Sequence, residues 1–188
     1  MTEQKLIAGC IKQDRRAQNE LYKRYYPLMS SIALRYTHNE DEALQRMNGG
    51  FYKVLKNLEK YDNQYGLATW IRNVLVNHLI DEFRTEKNYI ATIHLTDYAD
   101  VDPSLDYNNA DLEFDAQELR DMISRLPDVT QKVFNMYAID GFKHREIADA
   151  ISISVGTSKW LVSDARKKLR AMLEAQTIRE EQSIEKRG

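Results

Sequence analysis

The chain has 188 residues, of which 43% are hydrophobic, and its formal net charge is −2 at pH 7. This length fits one ordinary domain or two small ones, and the apolar content is sufficient for a buried core. One cysteine, Cys10, excludes an internal disulfide and cannot by itself form a zinc site, so a reducing, intracellular setting is expected. No apolar run approaches the roughly 18 residues of a membrane span, and the chain start lacks the pattern of a signal peptide. A soluble, cytoplasmic protein is expected.

The charge is unevenly distributed along the chain. The net charge is +3 over residues 1–90, −8 over 91–122, +4 over 123–170 and −1 over 171–188. Two mildly basic segments are therefore joined by a strongly acidic one, and each basic segment is compatible with a salt-sensitive phosphate contact. Glycine and proline are few, 7 and 3, and no segment alternates like a strand, which predicts an all-α protein.

The first helices follow from apolar spacing and capping residues. Residues 3–12 place four apolar side chains on one face, and Asp14 is a suitable N-cap for a helix that begins at Arg15. Pro27 is expected to end or kink that helix. Asn39 is the expected cap of the next helix, which runs to Tyr61. Its Gly49-Gly50 pair predicts close packing or the approach of a partner, because each glycine costs about 1 kcal/mol relative to alanine.

A loop with two tyrosines, residues 61–67, leads into a densely patterned helix over residues 68–87. Ile71, Leu75, Leu79 and Phe83 form its buried ridge. Polar side chains that can contact bases and phosphates occupy the rest of the helix, and the aromatic residues nearby can stack on unpaired bases. These candidates are Tyr61, Tyr65, Trp70, Arg72, Asn73, Asn77 and Arg84. The alternative is a solvated helix whose aromatic residues belong to the core.

Residues 88–119 contain no lysine or arginine and are rich in aspartate and glutamate, which predicts a linker. One interpretation is a self-repelling, disordered spacer, and the other is a phosphate mimic that lies in the basic channel of a partner. Helical periodicity returns near residue 111. A helix that starts at Pro127 is expected to end at Gly141, which suits the left-handed position after a helix.

The segment 142–173 has the pattern of two helices joined by a short turn. Ile147, Ala148 and Ile151 form the first apolar stripe, and a second stripe of residues spaced by four begins at Leu161. Ser154 is the expected cap of the second helix, which ends in four basic residues. This arrangement is typical of a helix-turn-helix, whose second helix enters the major groove of DNA. An amphipathic helical hairpin with a solvated basic end is the alternative. The polar tail of residues 174–188 is expected to fray.

Taken together, these segments resemble the extracytoplasmic-function (ECF) sigma factors, small bacterial initiation factors that keep only the second and fourth conserved regions of the family. Trp70, Asn77, Asp81 and Arg84 fit the W-x6-N-x3-D-x2-R run of the family. The later marks L-P, D-G, E-I-A and G-T are also present, at Leu126-Pro127, Gly141, Glu146-Ile147-Ala148 and Gly156-Thr157. The resemblance implies a region 2-like domain over residues 1–90, an acidic linker over 91–111 and a region 4-like helix-turn-helix domain over 112–173.

The resemblance also implies partners and site residues. The protein would bind core RNA polymerase and promoter DNA, be held by an anti-sigma factor, need no cofactor and catalyse no reaction of its own. Polymerase would be bound by Asn48, Phe51, Tyr52, Lys53 and Lys56. The loop and helix candidates above would open the downstream promoter element. The upstream element would be bound by Lys143, Thr157, Lys159, Trp160, Ser163, Arg166 and Lys167, with Asp81 orienting Arg84 or a neighbour.

The sequence departs from the family at two places. Gln45, Asn48 and Gly49 stand where the docking helix usually has an acidic-then-Gln pattern, and Leu161 and Asp164 replace frequent basic residues of the recognition helix. Two other functions are considered. A polymerase-independent helix-turn-helix regulator would bind duplex DNA tightly by itself. An all-α enzyme has little support, because the four histidines are scattered and no phosphate loop or H-E-x-x-H motif occurs.

Overall fold

The computed structural model describes residues 1–37, 39–85 and 116–185. Within these ranges every regular element is helical, which confirms the all-α prediction. The chain divides into two compact units, Met1–Lys87 and Asn88–Gly188. The predicted linker of residues 91–111 lies outside the described residues, and the predicted domain bounds stay predictions. In the described part of the chain, no helix is both long and apolar enough to cross a membrane.

The described residues of the first unit form four α-helices and one short 3-10 turn. They are α1 (Glu3–Ile11), α2 (Arg15–Tyr36), α3 (Glu40–Asn57), the turn Leu58–Lys60 and α4 (Leu67–Thr85). Both predicted caps are confirmed. The carboxylate of Asp14 accepts a hydrogen bond from the backbone N–H of Arg16 at 2.8 Å, and the side-chain oxygen of Asn39 accepts from Glu42 at 2.8 Å.

Helices α1 to α4 and the 3-10 turn contribute to one core. Its largest fully buried side chains are Leu6, Leu21, Met29, Ile32, Met47, Leu58, Leu67, Ile71, Leu75 and Leu79. The predicted ridge of α4 is confirmed, since Ile71, Leu75, Leu79 and Phe83 are all buried. The prediction for α1 holds only in part, because Leu6 and Cys10 are buried whereas Ile11 is 38% exposed.

Pro27 lies inside α2 and does not end it. A proline in a helix removes one backbone hydrogen bond, and the helix continues only where its neighbours compensate. Here Leu21 and Met29, on either side of Pro27, are fully buried against the other helices. Tertiary packing therefore outweighs the local tendency of proline to end a helix. The sequence pattern does not reveal this packing.

The second unit contains α5 (Ala116–Ser124), α6 (Asp128–Phe134), a π-helical turn (Asn135–Ile139), α7 (His144–Ile151) and α8 (Val155–Glu185). One cluster of its core joins α5 to α8 through Met122, Ile123, Leu126, Ala165 and Leu169. Leu119 of α5 is 39% exposed and does not belong to this cluster. The expectation that the chain frays beyond residue 173 is wrong for most of the tail, because α8 continues to Glu185.

Candidate nucleic-acid and protein interfaces

The side of α4 opposite its buried ridge carries the polar residues predicted to contact DNA. Asn73, Asn77 and Arg84 are exposed, and Arg72 is half-buried. The position of this row follows from the helix itself, because burial of one side at spacing four leaves the opposite side in water. Asparagine offers both a donor and an acceptor, and arginine offers a planar fork, so this row can bind bases and phosphates.

The loop before α4 places aromatic rings beside this row. The rings of Tyr61 and Trp70 lie 5.7 Å apart at 57°, and the hydroxyl of Tyr61 donates to the side-chain oxygen of Asn63 at 2.8 Å. Tyr65 is 75% exposed. Gly66 has a φ of +70°, a conformation that favours glycine. Of the three predicted stacking residues, Tyr65 is the one with a free face, whereas Tyr61 and Trp70 are half-buried against each other.

A cavity of about 600 Å³ adjoins this loop, and the sequence pattern gave no sign of it. It lies between α1 and the loop, and its lining includes Glu3, Ile7, Ile11, Tyr61 and Asn63. The hydroxyl of Tyr25 donates to the carboxylate of Glu3 at 3.3 Å, which ties α1 to α2. Burial first, and then the negative charge of Glu3, raise the pKa of Tyr25 above its ordinary value.

The predicted polymerase-binding residues lie along α3. Asn48 accepts a hydrogen bond from the hydroxyl of Tyr22 at 3.1 Å, and Phe51 meets the ring of Tyr22 edge-on at 5.0 Å. Tyr52 is 64% exposed, and Lys56 is exposed one turn further on. On this surface, Asn48 and Phe51 are held by contacts with Tyr22 of α2, whereas the side chain of Tyr52 projects into solvent. Tyr22 belongs to it but was not predicted.

An exposed apolar groove continues this surface. Tyr26, Leu34 and Leu44 are each between 41% and 45% exposed, and they line a groove of about 300 Å³ between α2 and α3. Glu40 and Asp41 also line it. The sequence contained the signal, because Leu44 and Asn48 are four residues apart and share one side of α3.

Asp81 on α4 connects the two candidate surfaces. Its carboxylate lies 3.4 Å from the ammonium of Lys53 on α3 and 3.6 Å from the guanidinium of Arg84. The expectation that Asp81 orients Arg84 or a neighbour agrees with this geometry. These side chains are about half exposed, so the pairs contribute more to orientation than to stability.

The tandem glycines of α3 allow α4 to approach closely. A Cβ atom on Gly49 would lie 2.6 Å from Nε2 of His78, and one on Gly50 would lie 2.2 Å from Cδ1 of Leu75. The predicted close packing is therefore present within the unit. His78 is buried, and its Nε2 lies 3.4 Å from the carboxylate of Glu82. Burial lowers the pKa of His78 below its ordinary value, although the charge of Glu82 acts in the opposite direction.

The helix-turn-helix has the predicted local structure. Ser152 ends α7 in the left-handed conformation, with a φ of +60°. The hydroxyl of Ser154 accepts from the backbone N–H of Thr157 at 2.9 Å, which confirms it as the cap of α8. At the start of α7, the carboxylate of Glu146 accepts from the backbone N–H of Lys143 at 2.7 Å.

The exposed side of α8 carries most of the predicted upstream-element residues. Lys159 and Lys167 are exposed, and Trp160, Ser163 and Arg166 are half-buried. Thr157 differs, because it is buried and its hydroxyl is hydrogen-bonded to Ser154 at 2.8 Å. This geometry argues against the predicted phosphate contact through its side chain.

The two departures in the recognition helix have different structural explanations. Leu161 is buried and belongs to the apolar side of α8. Asp164 forms an ion pair with Lys168 one turn further along the same helix. The negative charge of Asp164 is therefore partly compensated within α8.

An unpredicted aromatic cluster lies beside this surface. The rings of Tyr137 and His144 are stacked, with centroids 4.4 Å apart and planes at 16°. The guanidinium carbon of Arg166 lies 5.7 Å from the centroid of the Tyr137 ring, and Nδ1 of His144 lies 3.0 Å from the hydroxyl of Ser158. Burial first, and then the positive charges of Lys159 and Arg166, lower the pKa of His144 below its ordinary value.

Comparisons with known proteins agree with this architecture. The family model described as Sigma-70 region 2 matches residues 21–89, and the model described as Sigma-70, region 4 matches residues 116–169. The chain is 25% identical over 147 residues to the ECF RNA polymerase sigma factor EcfG of Rhodopseudomonas palustris, covering 78% of this chain and 80% of that protein. It is 24% identical over 184 residues to the ECF RNA polymerase sigma-E factor of Escherichia coli, covering 88% and 91%.

The chain belongs to the ECF sigma factors. A sigma factor of this type binds core RNA polymerase and directs it to promoters, so the protein is a transcription initiation factor and not an enzyme. Among solved structures, the sigma factor RpoE in complex with the anti-sigma factor NepR from Bartonella quintana matches with a TM-score of 0.48 and 17% identity, covering 83% of this chain and 96% of that one. The polymerase-independent regulator considered above is not favoured.

Proposed function

We propose that this ECF sigma factor opens the downstream promoter element with the exposed side of α4 and the loop before it. The observation that carries the proposal is the exposed row Asn73, Asn77 and Arg84 on α4, together with the exposed ring of Tyr65 in the loop that leads into this helix. Extracting a base from a duplex costs a few kcal/mol, and stacking it on an aromatic side chain returns about 1–3 kcal/mol. Hydrogen bonds from the asparagines would then hold the extruded base.

Replacing Asn77 tests this role. Asn77→Ala should reduce promoter opening about tenfold, the value of one hydrogen bond of about 1.4 kcal/mol, and leave affinity for core polymerase unchanged. Asn19→Ala is the matched control, because Asn19 is an exposed asparagine in the second turn of another helix, α2. Opening is measured by permanganate reactivity of unpaired thymines, and core affinity by fluorescence anisotropy. Equal losses in opening and in core affinity would make Asn77 a structural residue.

We propose that α3 binds core polymerase through Asn48, Phe51, Tyr52, Lys53 and Lys56. Tyr52 is the most informative of these residues, since 64% of it is exposed and its removal leaves the core of the unit intact. Tyr65, which is 75% exposed, supplies a reciprocal control on the proposed DNA surface.

Replacing Tyr52 and Tyr65 one at a time should distinguish binding to core polymerase from opening of promoter DNA. Tyr52→Ala should weaken core binding by about tenfold, in the range of an aromatic interface residue, with normal opening once the holoenzyme is saturated. Tyr65→Ala should preserve core binding and reduce opening. If both variants lose the same activity, the assignment of α3 and the loop to separate partners is wrong.

We propose that α8 binds the upstream promoter element as duplex DNA. Lys159, Trp160 and Ser163 would face base edges, and Lys143, Arg166 and Lys167 would contact phosphates. Ser154 and Ser152 set the entry angle of α8, so the first exposed turns of the helix are the part available to the major groove.

Loss of a base contact should reduce sequence preference, whereas loss of a phosphate contact should weaken DNA binding whatever the sequence. Lys159→Ala should reduce the preference of the holoenzyme for its own upstream element over a scrambled one. Lys167→Ala should weaken binding to both sequences about equally and reduce the salt dependence by about one ion. Competition between labelled promoter fragments measures both quantities. An unchanged preference in Lys159→Ala would remove Lys159 from base recognition.

We further propose that the protein acts in the cytoplasm and that an anti-sigma factor controls it. The family likeness supports both statements, and the exposed groove of Tyr26, Leu34 and Leu44 supports a protein partner. The linker, by the same likeness, would thread toward the active-site cleft of the polymerase. Protein crosslinked in cells should be recovered with core polymerase or with a second protein that blocks run-off transcription. Recovery of a second protein without inhibition would count against the regulator.

A further inference from the structure

Tyr137 and His144 form a stacked pair that the proposed DNA contacts do not use. Tyr137 belongs to the π-helical turn Asn135–Ile139, and His144 is the first residue of α7. Their rings are nearly parallel, at 16°, with centroids 4.4 Å apart. Neither side chain is needed to end α7 or to cap α8, since Ser152 and Ser154 occupy those positions.

A buried hydroxyl group of α8 contacts the imidazole of His144. Ser158, in the first turn of α8, has no exposed surface, and its Oγ lies 3.0 Å from Nδ1 of His144. Asn135 and Met136, which precede Tyr137 in the π-helical turn, are also buried. The two rings are therefore fixed between three elements of the unit and not simply laid on its surface.

Arg166 of α8 also lies over the ring of Tyr137. Its guanidinium carbon is 5.7 Å from the ring centroid, within the range of a cation–π interaction. Lys159 lies two turns earlier on α8, and both cations act on the imidazole of His144. A neutral imidazole fits this site, because a charged one would add a third cation beside Lys159 and Arg166. The groups facing His144 are thus Tyr137 from the π-helical turn and Ser158, Lys159 and Arg166 from α8.

We propose that Tyr137, backed by His144, is a platform that holds the guanidinium of Arg166 in position for a DNA phosphate. A free arginine side chain loses rotamer freedom when it binds, and a guanidinium already fixed over a ring loses less. Tyr137 and His144 are positioning residues, since they act through Arg166. This inference rests on the DNA contact assigned to Arg166 under the proposed function.

A double-mutant cycle on the holoenzyme tests the platform. The variants are Tyr137→Leu, which removes the ring, Tyr137→Phe, which keeps it, Arg166→Ala, and the combination of Tyr137→Leu with Arg166→Ala. The probe is a labelled duplex carrying the upstream element of a promoter that the holoenzyme transcribes. Circular dichroism establishes that each variant is folded at the temperature of the assay.

We expect Tyr137→Leu to weaken DNA binding about fivefold, the range of one cation–π interaction, and Tyr137→Phe to stay within about twofold. In the Arg166→Ala background, Tyr137→Leu should cause no further loss. Arg166→Lys supplies a measurement that leaves the platform intact. It retains the charge but not the planar group, and we expect it to weaken binding about threefold.

Two outcomes would overturn the inference, and they can be told apart. If Arg166→Ala binds as tightly as the unaltered protein, the DNA role of Arg166 fails and the platform has no function. If Arg166→Ala weakens binding while Tyr137→Leu causes the same loss in both backgrounds, Arg166 contacts DNA but Tyr137 serves only the fold.

Discussion

The close approach of α3 and α4 at Gly50 allows a quantitative prediction. In Gly50→Ala the new Cβ would lie 2.2 Å from Cδ1 of Leu75 and 3.1 Å from Cδ2 of His78. Carbon atoms in good contact are about 3.5–4.0 Å apart, so the methyl group of Leu75 would have to retreat by more than about 1 Å. Leu75 has no exposed surface and His78 is buried, so neither has free space to enter.

The magnitude follows from two opposing effects. Overpacking a core costs about 1–3 kcal/mol, and the upper part of this range suits an overlap this severe. Alanine in place of glycine within a helix returns about 1 kcal/mol. We therefore expect Gly50→Ala to lower the free energy of unfolding of the first unit by about 2 kcal/mol.

A second variant should largely remove this effect. Leu75→Val removes the δ-methyl group that collides with the new Cβ and leaves the 3.1 Å contact with His78, so Gly50→Ala made in that background should be close to neutral. Urea unfolding followed by the fluorescence of Trp70, with Trp160 replaced by Phe, reports on the first unit alone. Destabilisation by Gly50→Ala of equal size in both backgrounds would refute the steric argument.

Three further predictions concern the helix-turn-helix unit, and Trp160 fluorescence in a Trp70→Phe background measures each one. Ser154→Ala should lower the free energy of unfolding by about 1 kcal/mol, because α8 loses its N-cap, and an unchanged value would mean that another group caps it. Ser152→Gly should raise this free energy by about 0.5–1 kcal/mol, because its φ of +60° strains any residue with a Cβ; a loss of stability would contradict that reading. The pKa of His144 is lower in the folded state than its ordinary value of 6.5, so the unfolded state binds the proton more readily. Stability should therefore fall as the pH drops below about 6.5 and level off beneath the folded-state pKa, and His144→Gln should flatten this dependence.

Helix starts could be predicted from the sequence because the evidence for them is local. Asp14, Asn39 and Ser154 each precede an apolar periodic run, and each side chain caps its helix in the structure. A capping residue acts within three residues of its own position, so short windows contain the information. The buried ridge of α4 was predictable for the same reason.

Features that depend on packing between distant segments could not be predicted in this way. Whether Pro27 ends α2 depends on burial against other helices, and whether Leu44 faces the core or a groove depends on how α2 crosses α3. Thr157 fits a surface pattern, yet its hydroxyl turns to Ser154. Residues assigned from the family resemblance could be placed on helices in advance. The side chains that support them come from other parts of the chain: Tyr22 contacts Asn48 and Phe51, and Tyr137 lies against Arg166.

The length of α8 has a practical consequence. The helix has 31 residues, and at 1.5 Å per residue it spans about 45 Å, from the turn of the helix-turn-helix to Glu185. Two probes attached near its ends have a known separation and provide an internal calibration for distance measurements. Ile178, 53% exposed and far along the helix, is a suitable attachment point. A third probe at Lys12, exposed at the end of α1 and outside the proposed interfaces, would report when polymerase or DNA changes the separation of the two units, while the pair on α8 keeps its fixed distance.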